Sequence, residues 1–442
     1  MTFEGKTPEL LDFRLGIGLR RELLKVLTYE LIQAGPPGLG HLPGLPDETI
    51  VDREGQIHGT PPVTHNTCTQ TGWTITDLRP VYHERMKNLA PATDLFLSLT
   101  PDKVLAAVEA GGLECNPVCY PLNSFENRVY EVELADRSRV VAKFYRPGRW
   151  SEEQILEEHQ FLEDLAAEEI PVCTMRPFPG GGTLRRIEGI FYCLSDRRGG
   201  RAPDELDEAG ARRLGMLVGR MHNVGVRREA EHRLRLTADA YIRQDLDWLD
   251  EHGVLPRHLR DRYFDAALGI AALADRRMEG IAVHRIHGDL HLGNILFRDG
   301  LLRVLDFDDM VIGPAVQDLW LALPGRDAYT LALRERFLEG YVQFRDFDRS
   351  TLVLVEPLRG LRIVHYAAWL ARRWHDPAFP AAWPHFGTAE YWERETQDLA
   401  EQLAVIRGEL APEDAEARLT EEAAAEEEPE LTNKDFFWDW EG

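Results

Sequence analysis

The passage 282–310 constrains the fold of this chain most, because it interrupts a long series of helical patterns with short apolar runs next to polar side chains. One apolar run follows the string His287-Gly-Asp-Leu-His-Leu-Gly-Asn294, and a second ends just before Asp306. Short apolar runs bounded by turn residues are typical of buried strands. The passage therefore predicts short strands whose loops carry Asp289, Asn294 and Asp306.

These three side chains form the set that phosphoryl transfer requires. An aspartate would orient an acceptor hydroxyl and take its proton, and an asparagine and a second aspartate would hold Mg²⁺ on the phosphates of ATP. The spacing of Asp289 and Asn294 matches the catalytic loop of protein kinases, and Asp306 stands where their metal-binding aspartate lies. Either motif alone could be a solvated polar turn. The two together, in this order, favour the catalytic interpretation.

The first half of the chain has a different pattern of predicted secondary structure, with strands as well as helices. One helix is predicted to begin after the N-cap Thr100 and to stop at Gly111, and a second to run from Ser151 to about residue 168, with Gln154 close to completing a capping box. Strands are predicted at 127–134, 139–145 and 189–194. A β-rich front followed by a helix-rich body is the order of a two-lobed kinase. The prediction is an α+β, protein-kinase-like fold.

The predicted boundaries of the two lobes and of the flanking segments follow from these changes in the secondary-structure pattern. Residues 96–196 would form a small β-rich lobe and 197–408 a large helical lobe, preceded by an extension of unknown role at 1–95. The tail at 409–442 has thirteen acidic residues against Arg418 and Lys434, and such a self-repelling run is predicted to be disordered. Its terminal aromatic residues predict docking on the kinase body, binding to a partner, or inhibition, and the sequence does not separate these.

A lysine inside an apolar strand supplies the cation that the phosphates need. Lys143 lies in the run Val140–Phe144, where an unpaired ammonium would be costly to bury. The following helix offers Glu157 and Glu158, and a Lys–Glu pair of this kind holds the active geometry of kinases. We prefer Glu158. A lysine at the edge of a strand, with its charge in solvent, is the alternative.

No Gly-x-Gly-x-x-Gly motif precedes the Lys143 strand. The hairpin position holds Leu122-Asn-Ser-Phe-Glu-Asn127 instead, in which hydroxyl and backbone N–H groups can serve a phosphate. This departure argues against the eukaryotic protein-kinase branch.

Several strings resemble the bacterial stress response kinase A family, which are YihE/RdoA-like Ser/Thr protein kinases with the aminoglycoside phosphotransferase and choline kinase fold. The resemblance covers about 98–405. Its strings begin at Asn123, Lys143, Gln154, His287, Gly313 and Trp369. The chain departs from the family pattern at Leu290, Phe307 and Met310, which are apolar exchanges that leave the reactive groups in place.

The resemblance implies roles for further residues. Ser124 would lie at the ATP phosphates, Lys143 would pair with them, and the segment 192–195, with Cys193 and Leu194, would meet adenine through its backbone. The implied activity is phosphorylation of protein Ser/Thr, including autophosphorylation, in a stress response. The implied cofactors are ATP and Mg²⁺, and the implied partners are protein substrates.

Composition restricts the setting. A net charge of −24 argues against a nucleic-acid binder, which would need a basic surface. No stretch approaches the length of a membrane span, the N-terminus lacks the form of a signal peptide, and five scattered cysteines fit a reducing compartment. The expectation is a cytoplasmic, monomeric protein that binds neither nucleic acid nor membrane.

Two other functions remain open from the sequence. The same fold could phosphorylate a small hydroxyl compound, such as an amino alcohol or a sugar, and Asp308 and Asp309 would suit a cationic one. A scaffold without activity is a third interpretation, although the joint presence of Lys143, Asp289 and the metal ligands counts against it. Arg362, Arg372 and Arg373 could be a basic patch at the acceptor site or ordinary salt-bridged surface residues.

Overall fold

The computed structural model describes residues 95–412, 414 and 415, and places one antiparallel sheet at the front of this range. The sheet has five strands in the order β1-β2-β3-β5-β4. Their bounds are Cys115–Leu122 (β1), Arg128–Leu134 (β2), Arg139–Phe144 (β3), Arg185–Ile187 (β4) and Ile190–Asp196 (β5). The strand β3, which carries Lys143, therefore lies at the centre of the sheet.

The two helices of this lobe begin where the sequence predicts. α1 (Pro101–Ala110) starts with proline after Thr100, but the Thr100 side chain makes no capping hydrogen bond. α2 (Glu152–Ala167) starts with a complete capping box: Ser151 Oγ accepts from the Gln154 N–H, and the Gln154 side chain accepts from the Ser151 N–H. The reciprocal bonds fix the start of α2, and with it the position of the glutamates in its second turn.

Strand β1 has no counterpart in the prediction. Pro117 and Pro121 interrupt its sequence, and a proline cannot donate to the ladder of a sheet. β1 is an edge strand, where one side of the backbone has no neighbour, so both prolines are tolerated. The two prolines explain why the sequence did not predict this strand.

The second lobe consists mostly of helices. Their bounds are Glu208–Gly225 (α3), Gln244–Glu251 (α4), Arg260–Met278 (α5), Val316–Ala322 (α6), Ala328–Tyr341 (α7), Val355–Arg373 (α8), Ala378–Ala382 (α9) and Ala389–Arg407 (α10). A continuous apolar core fills the space between them, with Trp392, Phe337 and Phe379 fully buried. This packed body gives the loops between its strands a rigid base.

Two short ribbons interrupt the helices. Their bounds are His284–Ile286 (β6), Ile295–Arg298 (β7), Leu301–Val304 (β8) and Val311–Gly313 (β9). β6 pairs with β9, and β7 pairs with β8, both antiparallel. The pairing brings the loop after β6 and the loop after β8 to the same end of the ribbons.

The predicted fold class is confirmed: a small lobe with a sheet is followed by a large helical lobe. The extension predicted for 1–95 and the tail predicted for 409–442 fall outside the described residues, apart from their inner ends. Within the described part of the chain, no helix is long and apolar enough to cross a membrane.

Candidate active site

The loop between β6 and β7 holds Asp289 between an arginine and a histidine. Asp289 Oδ1 lies 2.8 Å from Arg362 Nη1, on α8, and Oδ2 lies 3.5 Å from His291 Nε2. Burial alone would raise the pKa of Asp289, but the charge of Arg362 and the contact with His291 hold it well below its ordinary value. Asn294 Nδ2 donates to the Asp289 carbonyl over 2.9 Å. Asp289 and Asn294 are therefore one structural unit.

A fully buried aspartate that the sequence analysis missed positions this loop. Asp318, on α6, accepts from the backbone N–H groups of His287 and Gly288 at 2.9 Å each and contacts His222 Nε2 at 3.0 Å. The signal was an acid in the otherwise apolar run Val316–Ala322, because a buried carboxylate needs several donors. Asp318 acts through the loop and does not face the cleft.

The loop after β8 places Asp306 beside the loop between β6 and β7. The Leu305 N–H donates to the Asn294 carbonyl over 2.8 Å, and the next residue, Asp306, has a left-handed backbone with φ 52°. A non-glycine residue in this region is uncommon and marks a constrained position. Half of the Asp306 side chain is exposed, and its Oδ1 lies 3.3 Å from Lys143 Nζ.

Lys143 links the two lobes. Its Nζ lies 3.2 Å from Glu158, 3.3 Å from Asp306 and 3.0 Å from Asp308. Burial alone would lower the pKa of Lys143, but Asp308 and the other carboxylates raise it well above its ordinary value. The ammonium therefore remains charged in the cleft. Asp308, which the sequence did not single out as a partner of Lys143, makes the shortest of the three contacts.

The two glutamates of α2 do different things. Glu158 is buried and contacts Lys143, whereas Glu157 points to the large lobe and accepts from the backbone N–H groups of Glu231, His232 and Arg233. The preference for Glu158 as the partner of Lys143 agrees with this geometry. Glu157 instead joins α2 to the segment 231–233 of the large lobe.

Arg149 is a further cation that the sequence analysis missed. It follows β3 and makes ion pairs with Asp308 and Asp309, and Trp150 Nε1 donates to Asp308 Oδ2 over 3.3 Å. Burial opposes ionisation of Asp308, but Lys143 and Arg149 hold its pKa well below the ordinary value. Both acids of this segment are therefore engaged by cations of the protein itself.

The β1–β2 loop is attached to the large lobe. Ser124 Oγ accepts from the Asn127 N–H over 3.3 Å, which is a local turn contact. The ring of Phe125 packs 4.6 Å from that of Trp383, and Glu126 Oε2 accepts from Trp369 Nε1 over 2.6 Å. Ser124 therefore lies on a loop that both lobes hold in place, but no contact joins it to the acids around Lys143.

Comparison with known proteins agrees with this geometry. Residues 119–353 match the model of the phosphotransferase enzyme family. Stress response kinase A of Escherichia coli (strain K12) is 40% identical over 315 residues, which cover 71% of this chain and 95% of that protein. Serine/threonine protein kinase RdoA of Salmonella typhimurium (strain LT2) is 38% identical over 314 residues, 70% of this chain and 94% of that protein. The chain belongs to the stress response kinase A family.

Solved structures support the fold of this family member. A complex of an amicoumacin kinase with AMP-PNP, Ca²⁺ and Ami has a TM-score of 0.55 at 18% identity, over 72% of this chain and 96% of that one. A microcompartment-associated aminopropanol kinase has a TM-score of 0.50 at 20% identity, over 68% of this chain and 98% of that one. At these identities the likeness concerns the fold alone.

The residues predicted to contact adenine in this stress response kinase homologue lie on β5. Cys193 lies opposite Lys143 in the β3–β5 register, and the Leu194 carbonyl already accepts from the Arg176 N–H over 2.6 Å. Neighbouring side chains of a strand face opposite sides, and Leu194 packs with Phe178, away from the cleft. Cys193 is on the Lys143 side, where burial raises the pKa of its thiol to about 12. Their contact with adenine stays a prediction.

The residues proposed for Mg²⁺ suit that ion chemically. Magnesium is usually held by one or two carboxylates together with substrate phosphates and water, rather than by a full protein cage. In agreement, no group of three or more His, Cys, Asp or Glu residues within the described range could hold a metal alone. Asn294 uses its amide N–H toward Asp289, so its amide oxygen can turn to a cation near Asp306.

Proposed function

We propose that this phosphotransferase is an ATP- and Mg²⁺-dependent protein serine/threonine kinase that also phosphorylates itself. The observation that carries the proposal is the meeting of Lys143, from the small lobe, with Asp306, from the large lobe, at 3.3 Å. In kinases, a cation for the phosphates and a ligand for the metal lie together where the nucleotide binds. The relative named as a serine/threonine protein kinase supports a protein acceptor.

In this proposal Asp289 receives the acceptor hydroxyl. Its pKa lies well below the ordinary value, so the carboxylate is ionised at neutral pH and can orient the hydroxyl and accept its proton. Arg362 lies on Oδ1, which leaves Oδ2, next to His291, for the hydroxyl. Arg362 fixes the direction of the carboxylate.

When bound, Mg²⁺-ATP would supply the phosphoryl group and the charge that draws the two lobes together. Lys143 would exchange its contact with Asp306 for a phosphate oxygen, while Asp306 and Asn294 would hold the metal. Glu158 and Asp308 keep the ammonium in the cleft, and Ser124 would approach the phosphates with its loop. The solved amicoumacin kinase, with AMP-PNP and Ca²⁺, supports use of a nucleotide and a divalent metal.

A small-molecule kinase is the second candidate, because the two solved structures above are named as kinases of small molecules, amicoumacin and aminopropanol. A cavity of about 360 Å³ next to Asp309 could hold such a compound. A cationic amino alcohol fits it poorly. Asp308 and Asp309 are already paired with Arg149, so they are not open to a cationic substrate.

Labelled ATP separates the two candidates. The full-length chain is incubated with [γ-³²P]ATP and Mg²⁺ alone, with casein, with myelin basic protein, and with amino alcohols and sugars. The proposal predicts label on the chain and on protein serine or threonine. Label on small molecules only, with none on any protein, would overturn it in favour of the second candidate.

A further inference from the structure

A cavity of about 360 Å³ opens beside the catalytic centre, between the loop 146–150 and helix α8. Asp309, Met310 and Val311 line it and follow Asp306 by three to five positions in the chain. Trp150, Tyr241 and Trp369 give it aromatic walls. The cavity therefore lies where a segment that carries the acceptor hydroxyl would enter.

One face of α8 runs from the catalytic aspartate into this cavity. Arg362, His365, Trp369 and Arg372 follow one another at spacings of three, four and three residues, which is one side of a helix. Arg362 contacts Asp289, and the other three line the cavity. With a rise of about 1.5 Å per residue, Arg362 and Arg372 are about 15 Å apart along the axis.

Arginine side chains line much of the cavity wall. It contains four arginines, and Asp309 is the one acidic residue in the wall that the described residues form. Those arginines are Arg146, Arg149, Arg372 and Arg373. Arg146, Arg149 and Arg373 each pair with Glu126, so their charge is offset within the protein.

Arg372 is placed to meet an anion from solvent. Its Nη1 lies 2.6 Å from Asp245 Oδ1, and this buried carboxylate also contacts His365 Nδ1 at 2.7 Å. The Arg372 side chain remains 30% exposed, while Asp245 is 2% exposed and lies behind the wall. The guanidinium therefore keeps donors for a second, external carboxylate or phosphate.

Building on the proposed protein-kinase function, we infer that the acceptor segment is acidic: a serine or threonine with Asp, Glu or a phosphorylated residue four or five positions away. The distance of about 15 Å from Arg362 to Arg372 equals four to five residues of extended chain at about 3.3 Å each. The acceptor hydroxyl lies at Asp289, and the acidic side chain lies at Arg372.

The same chemistry occurs in this chain itself. Thr420 and Thr432 are the two hydroxyl residues of the tail 409–442, and acidic residues surround both in the sequence. The inference concerns a segment of another protein. A full-length variant with T420V and T432V removes the tail as an acceptor, so label on an added peptide reports the external source alone.

The test compares peptides that differ in one position. A single serine carries Asp, Ala or Lys four or five positions away, on either side, and kcat/KM is measured with the full-length T420V/T432V chain. The inference predicts that one Asp peptide exceeds its Lys counterpart at least about tenfold at low salt. High salt should reduce the difference, since it screens an exposed ion pair.

Substitutions then assign the preference to Arg372. Arg372→Gln should reduce the Asp-over-Lys ratio to about threefold or less through KM, whereas Arg276→Gln, at an exposed arginine of α5, should leave the ratio unchanged. Equal use of all peptides by the parent chain, or an unchanged ratio in Arg372→Gln, would overturn the inference. The parent ratio tests it even where the variant fails to fold. Failure of the kinase function itself is distinct, because no peptide or casein would then be labelled.

Discussion

Two neighbouring residues of one helix show how the structure divides work that the sequence presents as equal. Adjacent helical positions point about 100° apart, so Glu158 faces the cleft while Glu157 faces the large lobe. The sequence predicts that a glutamate on α2 pairs with Lys143, because a buried ammonium needs an anion. The sequence cannot show that three backbone N–H groups of a distant segment donate to Glu157, because that pairing depends on tertiary packing.

Glu158→Gln and Glu157→Gln are therefore expected to differ in kind. Loss of the Glu158 charge frees Lys143 to stay on Asp306 and Asp308, and we predict a fall in kcat of at least about tenfold, or ~1.4 kcal/mol in the barrier. Glu157→Gln should lower Tm by a few degrees and keep kcat. Steady-state kinetics and thermal unfolding on both variants check this. Equal kcat values in the two variants would contradict it.

Gly288 shows a second constraint at the scale of one residue. Its φ is +84°, and a Cβ there would lie 2.3 Å from the Asp309 carbonyl oxygen, so the catalytic loop and the acidic segment touch through it. Gly280 has a similar φ of +75°, with nothing within 4 Å of its Cβ position. Substitution of the two glycines by alanine therefore distinguishes the cost of backbone strain from the cost of steric crowding.

Gly288→Ala is predicted to lower the free energy of unfolding by about 3 kcal/mol, since it adds crowding to the left-handed strain. Gly280→Ala should cost about 1 kcal/mol, from the strain alone. Denaturant unfolding of both variants measures the difference. Equal losses would show that Gly288 is not crowded by Asp309.

At the scale of elements, the β1–β2 loop has an anchor that the sequence did not predict. The sequence identifies this loop as the replacement for a glycine-rich one, at Ser124. In the structure its main anchor is Glu126, whose carboxylate lies among Arg146, Arg149 and Arg373. Burial opposes ionisation, but these guanidinium groups lower the pKa of Glu126 to about 2. The anchor was not predictable, because two of its partners precede the large lobe and one closes α8.

Glu126→Gln should destabilise the chain by about 3 kcal/mol at neutral pH, because it leaves buried arginines with less counter-charge. The parent carboxylate stabilises the fold fully above its unfolded pKa of about 4.5, and that contribution disappears as the pH falls to about 2. The difference between parent and variant should therefore shrink over this window. Glu188→Gln, in an exposed pair with Lys103, is the control and should change stability by less than about 1 kcal/mol. A difference that stays constant between pH 5 and pH 2.5 would contradict this account.

At the scale of the whole molecule, the order of patterns was enough to predict two lobes, and the ribbons around 284–313 were enough to predict that Asp289, Asn294 and Asp306 meet. Apolar periodicity and acidic residues at the ends of strands are local signals, so they can be recognised in a single sequence. Arg149 and Asp318 were missed as site residues, and Arg362 was predicted only as part of a possible basic patch, because each comes from a separate element. Only the packing of the lobes brings Arg149 and Arg362 to the cleft and Asp318 against the loop that carries Asp289.

One variant tests most directly whether Asp289 accepts the proton in phosphoryl transfer. Asp289→Asn keeps the shape of the side chain but cannot take a proton from the acceptor, so transfer of label from [γ-³²P]ATP to the chain and to casein should fall at least about a hundredfold. Nucleotide binding should persist, seen as the same rise of Tm with ATP and Mg²⁺ as in the parent. Transfer at the parent rate by Asp289→Asn would contradict the account.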